Sequence, residues 1–537
     1  MCIRDSNKGC KLLKGESMFF NSLDLSIIAI YCIGIIAIAT YVSRQQSGSE
    51  RSPEDYFLAG RSLPWWAIGA SLIAANISAE QIIGMSGQGF VVGIAIATYE
   101  LTAAIALIVM AKYFLPLFLK KQIYTMPQFL EQRFDKRVSL VLSFFWLAVY
   151  VFINLTSVLW LGSLAINTLT GLETFYGLVL LAILSLAYSL YGGLKAVALT
   201  DIIQVVLLIF GGLAVSFIAL SKIGNGVVTD GFVEVYRSLP EKWDIILSPD
   251  NPSYKDLPGV WVLIGGLWIA HFAYWGFNQY ITQRALGAKS LPEAQKGVMF
   301  AAYLKIIMPL VIVLPGICAA VLFPLLETSD KAYPMMMSLL PNGLLGLTFA
   351  ALIAAIVSSL ASMTNSISTI FTMDVYRAYA TNNPSNTKLV NIGRSTSVVA
   401  LVIAVFSATP LLGSLESAFQ YIQNFTGFFT PGILVIFLVA LFWPKATTLS
   451  VLNAALTSLA LSIFIFYFFP EYPFIHRMAV VFFSSFIVCY LTSLIQGYTD
   501  SPKAIKLNDM SFATSKAFNV NTAVVVVILS IIYISLW

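Results

Sequence analysis

Apolar runs of about twenty residues recur from Leu23 to the end of the chain, near 23–42, 66–87, 91–119, 138–166, 174–192, 197–221, 260–282, 298–325, 343–372, 395–413, 417–443, 447–469, 475–496 and 519–537. A run of that length crosses the hydrocarbon core of a bilayer as one helix, and only helices or closed barrels satisfy their backbone there. The fold class expected is an all-α polytopic membrane protein of about fourteen transmembrane helices, an even number that puts both termini on one side. Composition agrees: 537 residues, 58% hydrophobic and 11% charged, with a mean hydropathy of +0.84. The formal net charge of +5 matters less than its distribution over loops, and no nucleic-acid partner is expected. Cys2, Cys10, Cys32, Cys318 and Cys489 form no C-x-x-C or Cys/His cluster, so neither a disulfide framework nor a zinc site is indicated.

One run departs from a plain membrane helix. Trp66–Phe90, WAIGASLIAANISAEQIIGMSGQGF, carries Asn76, Ser78, Glu80 and Gln81 at its middle among Gly69, Gly84, Gly87 and Gly89. Each unpaired polar group in hydrocarbon costs several kcal/mol, so the run reads as a helix broken near the midplane, where backbone lines a cavity. Freed carbonyls there can hold a cation and side chains a polar solute, which makes the stretch a transport site. Gly265–Gln283, GGLWIAHFAYWGFNQYITQ, has the same mixture and is the second broken element. Two interrupted segments in corresponding positions point to two halves with a site at their interface.

Basic residues orient the chain. Alternate loops carry Arg44, Arg51 and Arg61; Lys120, Lys121, Arg133, Lys136 and Arg137; Arg284, Lys289 and Lys296; Arg377, Lys388 and Arg394; Lys503, Lys506 and Lys516. The opposite loops hold Lys331, Arg477 and the acid-rich segment 222–255. By the positive-inside rule the first set is cytoplasmic and both termini lie outside the cytoplasm. Residues 1–17 do not resemble the rest and are set aside as an atypical tail, with Met18 read as the natural initiator.

The runs YFLAGRSLPWWAIGASLIAANISAEQIIGMSG, YSLYGGLKAVALTDIIQ, YWGFNQYITQRALGAKSLPEAQKG and AAIVSSLASMTNSISTIFTMDVY resemble the sodium/solute symporter family, closest to its bacterial sodium/galactose (sodium/glucose cotransporter-type) branch. The resemblance covers nearly the whole chain from Met18. It implies a leucine-transporter-type fold with five plus five inverted helices: an extra N-terminal helix at 18–45, inverted repeat 1 at 62–225, an extracellular loop at 226–258, inverted repeat 2 at 259–443 and three C-terminal helices at 444–537. It implies a sodium-coupled symporter importing a sugar across the bacterial inner membrane, with no obligatory protein partner.

Ser358 and Ser359 are adjacent hydroxyls in a small-residue helix, a pattern that serves close helix packing as well as an ion. The resemblance places sodium between the carbonyls of Ala74, Ile77 and Ala355 and the hydroxyls of Ser358 and Ser359, a set of neutral oxygens suited to a hard cation. Asp201 reads from the residues as a helix N-terminal acid or as a functional intramembrane carboxylate; the resemblance puts it on the sodium exit route. Family members that take a second sodium have a serine where this chain has Ala355, so one sodium per cycle is expected.

Glu100 and Lys305 are lone charges in apolar spans, readable as a structural bridge or as solute contacts. The resemblance builds the solute site from Asn76, Gln81, Glu100, His271, Trp275, Lys305 and Gln423, with Met85, Tyr99 and Phe419 as the outer gate and Tyr274 as the inner one. Amides and charges converging on one cavity can match many hydroxyls at once. The galactose branch has an asparagine at His271 and a serine at Ala103, so a hexose such as galactose or glucose is expected, with myo-inositol, another polyol or a sugar acid as alternatives. A non-transporting solute sensor is the reading from a different class, and no soluble reporter domain is legible. No enzyme is indicated: the only histidines are His271 and His476, and no nucleophile–base pair or metal cluster stands out.

Overall fold

The computed structural model describes residues 2–4, 10–12, 19–44, 58–123, 125–380, 384–415 and 417–537. Met18, Arg51 and most of the 1–17 tail lie outside them; within the tail, Cys2–Arg4 pairs antiparallel with Cys10–Leu12. Beyond the tail the described elements are helices. Ten are long and apolar enough to cross a bilayer, or twelve if each of two bent helix pairs is one span. Two shorter apolar helices, Ser22–Ile35 and Thr174–Tyr188, stand where further crossings are expected.

Thr174–Ile223 is one helical run where the sequence leads to two spans. Twelve residues of straight helix extend about 18 Å, yet the hydroxyls of Tyr188 and Thr200 meet. A second difference lies in the acid-rich loop, which contains the helix Val228–Ser238. Its register sets Val228, Gly231 and Val235 on one side, and Phe232 meets Trp243 with ring centroids 5.0 Å apart.

The spans fall into two environments. In Ile94–Lys121 and Leu344–Tyr379, 89% of the most apolar window is buried, and in Leu291–Leu322 and Ala418–Phe442 72%; in Lys516–Ser535 the share is 17%. The first four form the interior, while the last turns apolar side chains such as Val527 and Ile531 outward, as a lipid-facing helix does. Contact inside is close enough to demand glycine. A Cβ on Gly297 would lie 2.7 Å from the carbonyl oxygen of Trp65, and one on Gly69 would lie 2.6 Å from that of Gly297. The Trp65–Asn76 and Leu291–Leu322 helices thus meet backbone to backbone.

Polar groups fasten helix ends. The Asp24 carboxylate, on the first helix, accepts from the backbone N–H groups of Gly343 (2.7 Å) and Gly346 (2.9 Å), satisfying the N-terminus of Leu344–Ile370. Arg133 and Arg477, read from sequence as loop charges, are 2% and 3% exposed. Arg133 donates to the carbonyls of Ala440 and Trp443 at the end of Ala418–Phe442, and Arg477 to that of Asn424. Carbonyls left over at helix ends and breaks attract such donors.

Candidate functional site

The first broken span is Trp65–Asn76 followed by Glu80–Val91, bent by 60°. Ile77 leaves helical geometry with ψ 87°, and the N–H of Ser78 bonds the carbonyl of Asn76 at 2.9 Å. In a continuous helix that N–H would have gone to Ala74. The Ala74 carbonyl is released and instead accepts the Ser359 hydroxyl at 3.3 Å. Around the break, the Ser78 hydroxyl accepts from the Glu80 N–H and donates to Gln81 Oε1.

The second broken element parts twice. Pro252–Ile264 and Leu267–Phe277 meet at 72° across Gly265–Gly266, and Asn278, with extended backbone, separates Leu267–Phe277 from Gln279–Leu286. Tyr150 spans this second parting: its hydroxyl accepts from the Gln279 N–H and donates to Asn278 Oδ1, each at 2.9 Å.

Between the two breaks lies a cavity. All seven solute residues expected from sequence line it, Asn76, Gln81, Glu100, His271, Trp275, Lys305 and Gln423, and so do the four gate residues Met85, Tyr99, Phe419 and Tyr274. Lys305 is held on three sides: its ammonium is 2.6 Å from Glu100 Oε2, donates to Asn76 Oδ1 and sits 5.1 Å from the centre of the Trp275 ring. Asn76 also donates to the Tyr274 hydroxyl (3.1 Å), which accepts from Tyr280 (2.8 Å). His271 Nε2 lies 2.7 Å from the Thr102 hydroxyl. That hydroxyl gives its proton to the Thr98 carbonyl, so the Nε2–H of His271 donates to it. Tyr99 and Phe419 meet edge to face at 5.7 Å, and Met85 is buried.

The residues expected from sequence to hold sodium begin beside this lining, with Ala74 and Ile77 on either side of Asn76. Ser359 reaches Ala74 as described, but Ser358 turns its hydroxyl to Asp201. Asp201 also accepts from Ser71 at 2.5 Å and lies 4.0 Å from Arg284. It is thus a buried network member in direct contact with one of the serines, more than a helix-end acid. Arg284, counted from sequence among the loop charges, is 1% exposed; it donates to the carbonyls of Ser71 and Tyr280 and to the Ser362 hydroxyl. Sequence reasoning missed it because a lone arginine at a span boundary looks the same buried or free.

Other cavity residues were not assigned a role from sequence: Glu80, Trp146, Asn154, Asn278, Thr426 and Thr430. Glu80 accepts from Gln423 at 3.3 Å. Asn154, an amide inside the apolar run FWLAVYVFINLTSVLW, carried a sign of its own, since such a group in hydrocarbon calls for a partner or a cavity.

Residues 56–458 match the family model described as "Sodium:solute symporter family". The chain is 47% identical to the sodium/glucose cotransporter of Vibrio parahaemolyticus over 96% of its own length and 98% of that protein. The chain belongs to the sodium:solute symporter family. It is also 30% identical to the mouse sodium/myo-inositol cotransporter 2, over 82% of this chain and 69% of that one. Its fold matches a solved Na+-coupled sialic acid symporter with a TM-score of 0.78 at 22% identity, covering 90% of this chain and all of that one. This symporter is therefore a multi-pass membrane protein of that fold, with sodium as its coupling ion and a small solute as its second cargo. The donor set suits sodium. The Ala74 carbonyl freed by the helix break faces the Ser359 hydroxyl, and the buried Asp201 carboxylate takes that of the neighbouring Ser358, all hard oxygen groups.

Proposed function

We propose that this symporter imports a neutral hexose, galactose or glucose, with one sodium ion per cycle, by alternating access. The observation that carries the reading is the cavity itself: the polar residues, the aromatic faces of Trp275 and Tyr274 and both sets of gate residues line one space between two broken spans. Sodium is held by the Ala74, Ile77 and Ala355 carbonyls with Ser359 and Ser358, and leaves past Asp201. A sugar accepts from Lys305 and Gln81, donates to Glu100, and uses Asn76, His271 and Gln423 for the remaining hydroxyls. Met85, Tyr99 and Phe419 close the outer side and Tyr274 the inner.

Fourteen crossings follow if Ser22–Ile35 and Thr174–Tyr188 each span. Segments 62–225 and 259–443 are then the two inverted repeats, each led by its broken element, and both termini face away from the cytoplasm in a bacterial inner membrane. Ion entry tightens the first repeat against the Leu344–Ile370 helix. Rocking of the repeats then exposes the cavity inward, with about 2.3 kcal/mol per charge per 100 mV available from the potential.

A polyol such as myo-inositol is the second reading, favoured by His271 and Ala103 standing where the galactose branch has other polar residues. A sugar acid is disfavoured because Glu80 and Glu100 face one ammonium, Lys305. The test is uptake of labelled galactose, glucose and myo-inositol into proteoliposomes under an inward sodium gradient, against a potassium control. Sodium-driven accumulation above equilibrium is expected for the cognate solute, needing about tenfold more sodium in Ser359→Ala. Folded protein showing no sodium effect with any of the three would refute the sugar reading.

A further inference from the structure

The cavity wall has two chemically different parts. Around Lys305 the polar groups engage one another: Lys305 with Glu100 and Asn76, His271 with Thr102, Gln81 with Ser78. Three other lining residues carry buried polar atoms that lack a partner: Trp146 Nε1, Asn154 Oδ1 and Thr426 Oγ1. Trp146 and Asn154 are each 4% exposed. Leaving such atoms unpaired is costly, and proteins keep them mainly where something other than protein satisfies them.

Their placement separates them from the gate at Phe419. On the Ala418–Phe442 helix the cavity is lined in turn by Phe419, Ile422, Gln423, Thr426 and Thr430, and eleven residues of helix extend about 16 Å. That is more than one hexose ring fills, so a ring held at Gln423 and Lys305 leaves room toward Thr430. Trp146 and Asn154 approach from the Lys136–Thr170 span. Asn278, just past the Tyr274 gate, also lines the space, with its Oδ1 taken by Tyr150.

We infer that Trp146, Asn154 and Thr426 form a second solute station in the cavity, a site for hydroxyls of an uncharged polyol or sugar after it leaves the Glu100–Lys305 station. The indole N–H donates, the amide oxygen accepts, and the threonine hydroxyl does either; Trp146 and Asn154 stand about 12 Å apart along their span, so they meet hydroxyls on opposite edges of a ring. None of the three is ionisable in the working range, so the station selects no charge. It shortens the step from the first site to the exit, because hydroxyls released by Lys305 find partners before they find water. The inference rests on the sugar reading above.

The test compares Trp146→Phe, Asn154→Leu and Thr426→Val, which remove the orphan atoms with little change of volume. Equilibrium sodium-dependent binding of labelled galactose, glucose and myo-inositol to purified protein is measured beside uptake by the same protein in liposomes. Binding within about twofold of wild type with maximal uptake reduced about tenfold in each variant is expected, a loss the size of one neutral hydrogen bond made in transit. Thr426→Ser, which keeps the hydroxyl, should recover the rate lost in Thr426→Val. Thermal stability unchanged or raised in the three variants separates this from a folding defect, since each removes an unsatisfied buried atom. Unchanged uptake in all three, or binding lost in step with uptake, would overturn the station while leaving the sugar reading intact. Wild-type protein that binds none of the three sugars would overturn the sugar reading and the station together.

Discussion

Removing the Lys305 ammonium tests whether the buried charges serve the solute or only each other. Glu100 and Lys305 are 2% and 1% exposed and 2.6 Å apart. Lys305→Gln leaves a carboxylate in a low-dielectric interior with its main partner gone, a loss of about 3–5 kcal/mol when one member of a buried pair is deleted. Thermal unfolding in detergent should register that loss clearly. The double variant Glu100→Gln/Lys305→Gln removes both charges and leaves two neutral amides able to bond one another, so most of the stability should return. Transport should not return. Each charged group contributes about 1.5–3 kcal/mol through hydrogen bonds to solute hydroxyls, roughly ten- to a hundredfold apiece. Sodium-driven uptake in the double variant should therefore stay below about 1% of wild type. A double variant that regains both stability and uptake would refute the argument and make the pair a structural bridge.

The remaining predictions concern the ion, the outer loop and the packing seam. Ser359→Ala deletes the hydroxyl facing the freed Ala74 carbonyl and should raise the sodium concentration for half-maximal uptake about tenfold, while Ser359→Thr should keep coupling; equal sodium dependence in both variants would remove Ser359 from the ion site. Asp330, between two spans, accepts from the backbone N–H of Ala418 at 2.8 Å, and burial pushes its carboxyl up to about 7. The folded state then binds more protons than the unfolded one between about pH 4 and 7. Stability should fall as pH rises through that window and level off above it. Asp330→Asn, which keeps an acceptor for Ala418, should flatten the melting temperature between pH 5 and 8, and an unaltered slope would assign the dependence elsewhere. Gly297→Val places a side chain within 3 Å of the Trp65 carbonyl and of Ile68 and should cost about 1–3 kcal/mol by overpacking, read as a lower melting temperature; no change would mean the two helices can separate freely.

The spans were legible because hydrocarbon imposes one rule on all of them. The apolar run near 138–166 became Lys136–Thr170 and that near 395–413 became Asn386–Leu412, with ends shifted by the caps and basic residues that apolar counting ignores. The broken span was legible because Asn76, Ser78 and Gln81 have no business in an uninterrupted membrane helix. What escaped were features set by tertiary partners. Asp24 reads as a first-turn acid of an anchor helix, yet it fastens Leu344–Ile370 through Gly343 and Gly346. Arg284 and Arg133 read as loop charges, although carbonyls and hydroxyls from distant helices enclose them. The residues Trp146 and Asn154 belong to the cavity only because the Lys136–Thr170 span packs against it. No local pattern encodes that placement.

The two cargoes are joined through a very short piece of chain. Ala74, whose carbonyl faces Ser359, is two residues from Asn76, which accepts from Lys305 and donates to Tyr274. Both depend on the same departure from helix at Ile77. If that turn rewound, the Ala74 carbonyl would return to a backbone N–H and Asn76 would swing away from Lys305. On the proposed site assignment, sodium stabilises the unwound form by occupying the freed carbonyl, and a solute stabilises it by using Asn76. Each ligand therefore lowers the cost of the conformation the other requires, and the coupling is reciprocal by thermodynamic linkage. On that account a substitution that destabilises the unwound turn, such as Ser78→Ala, which removes the hydroxyl bridging Glu80 and Gln81, should weaken sodium and solute binding by the same factor. Titrating each ligand at saturating and zero concentrations of the other measures that factor directly, and unequal changes would show that the break is not the shared element.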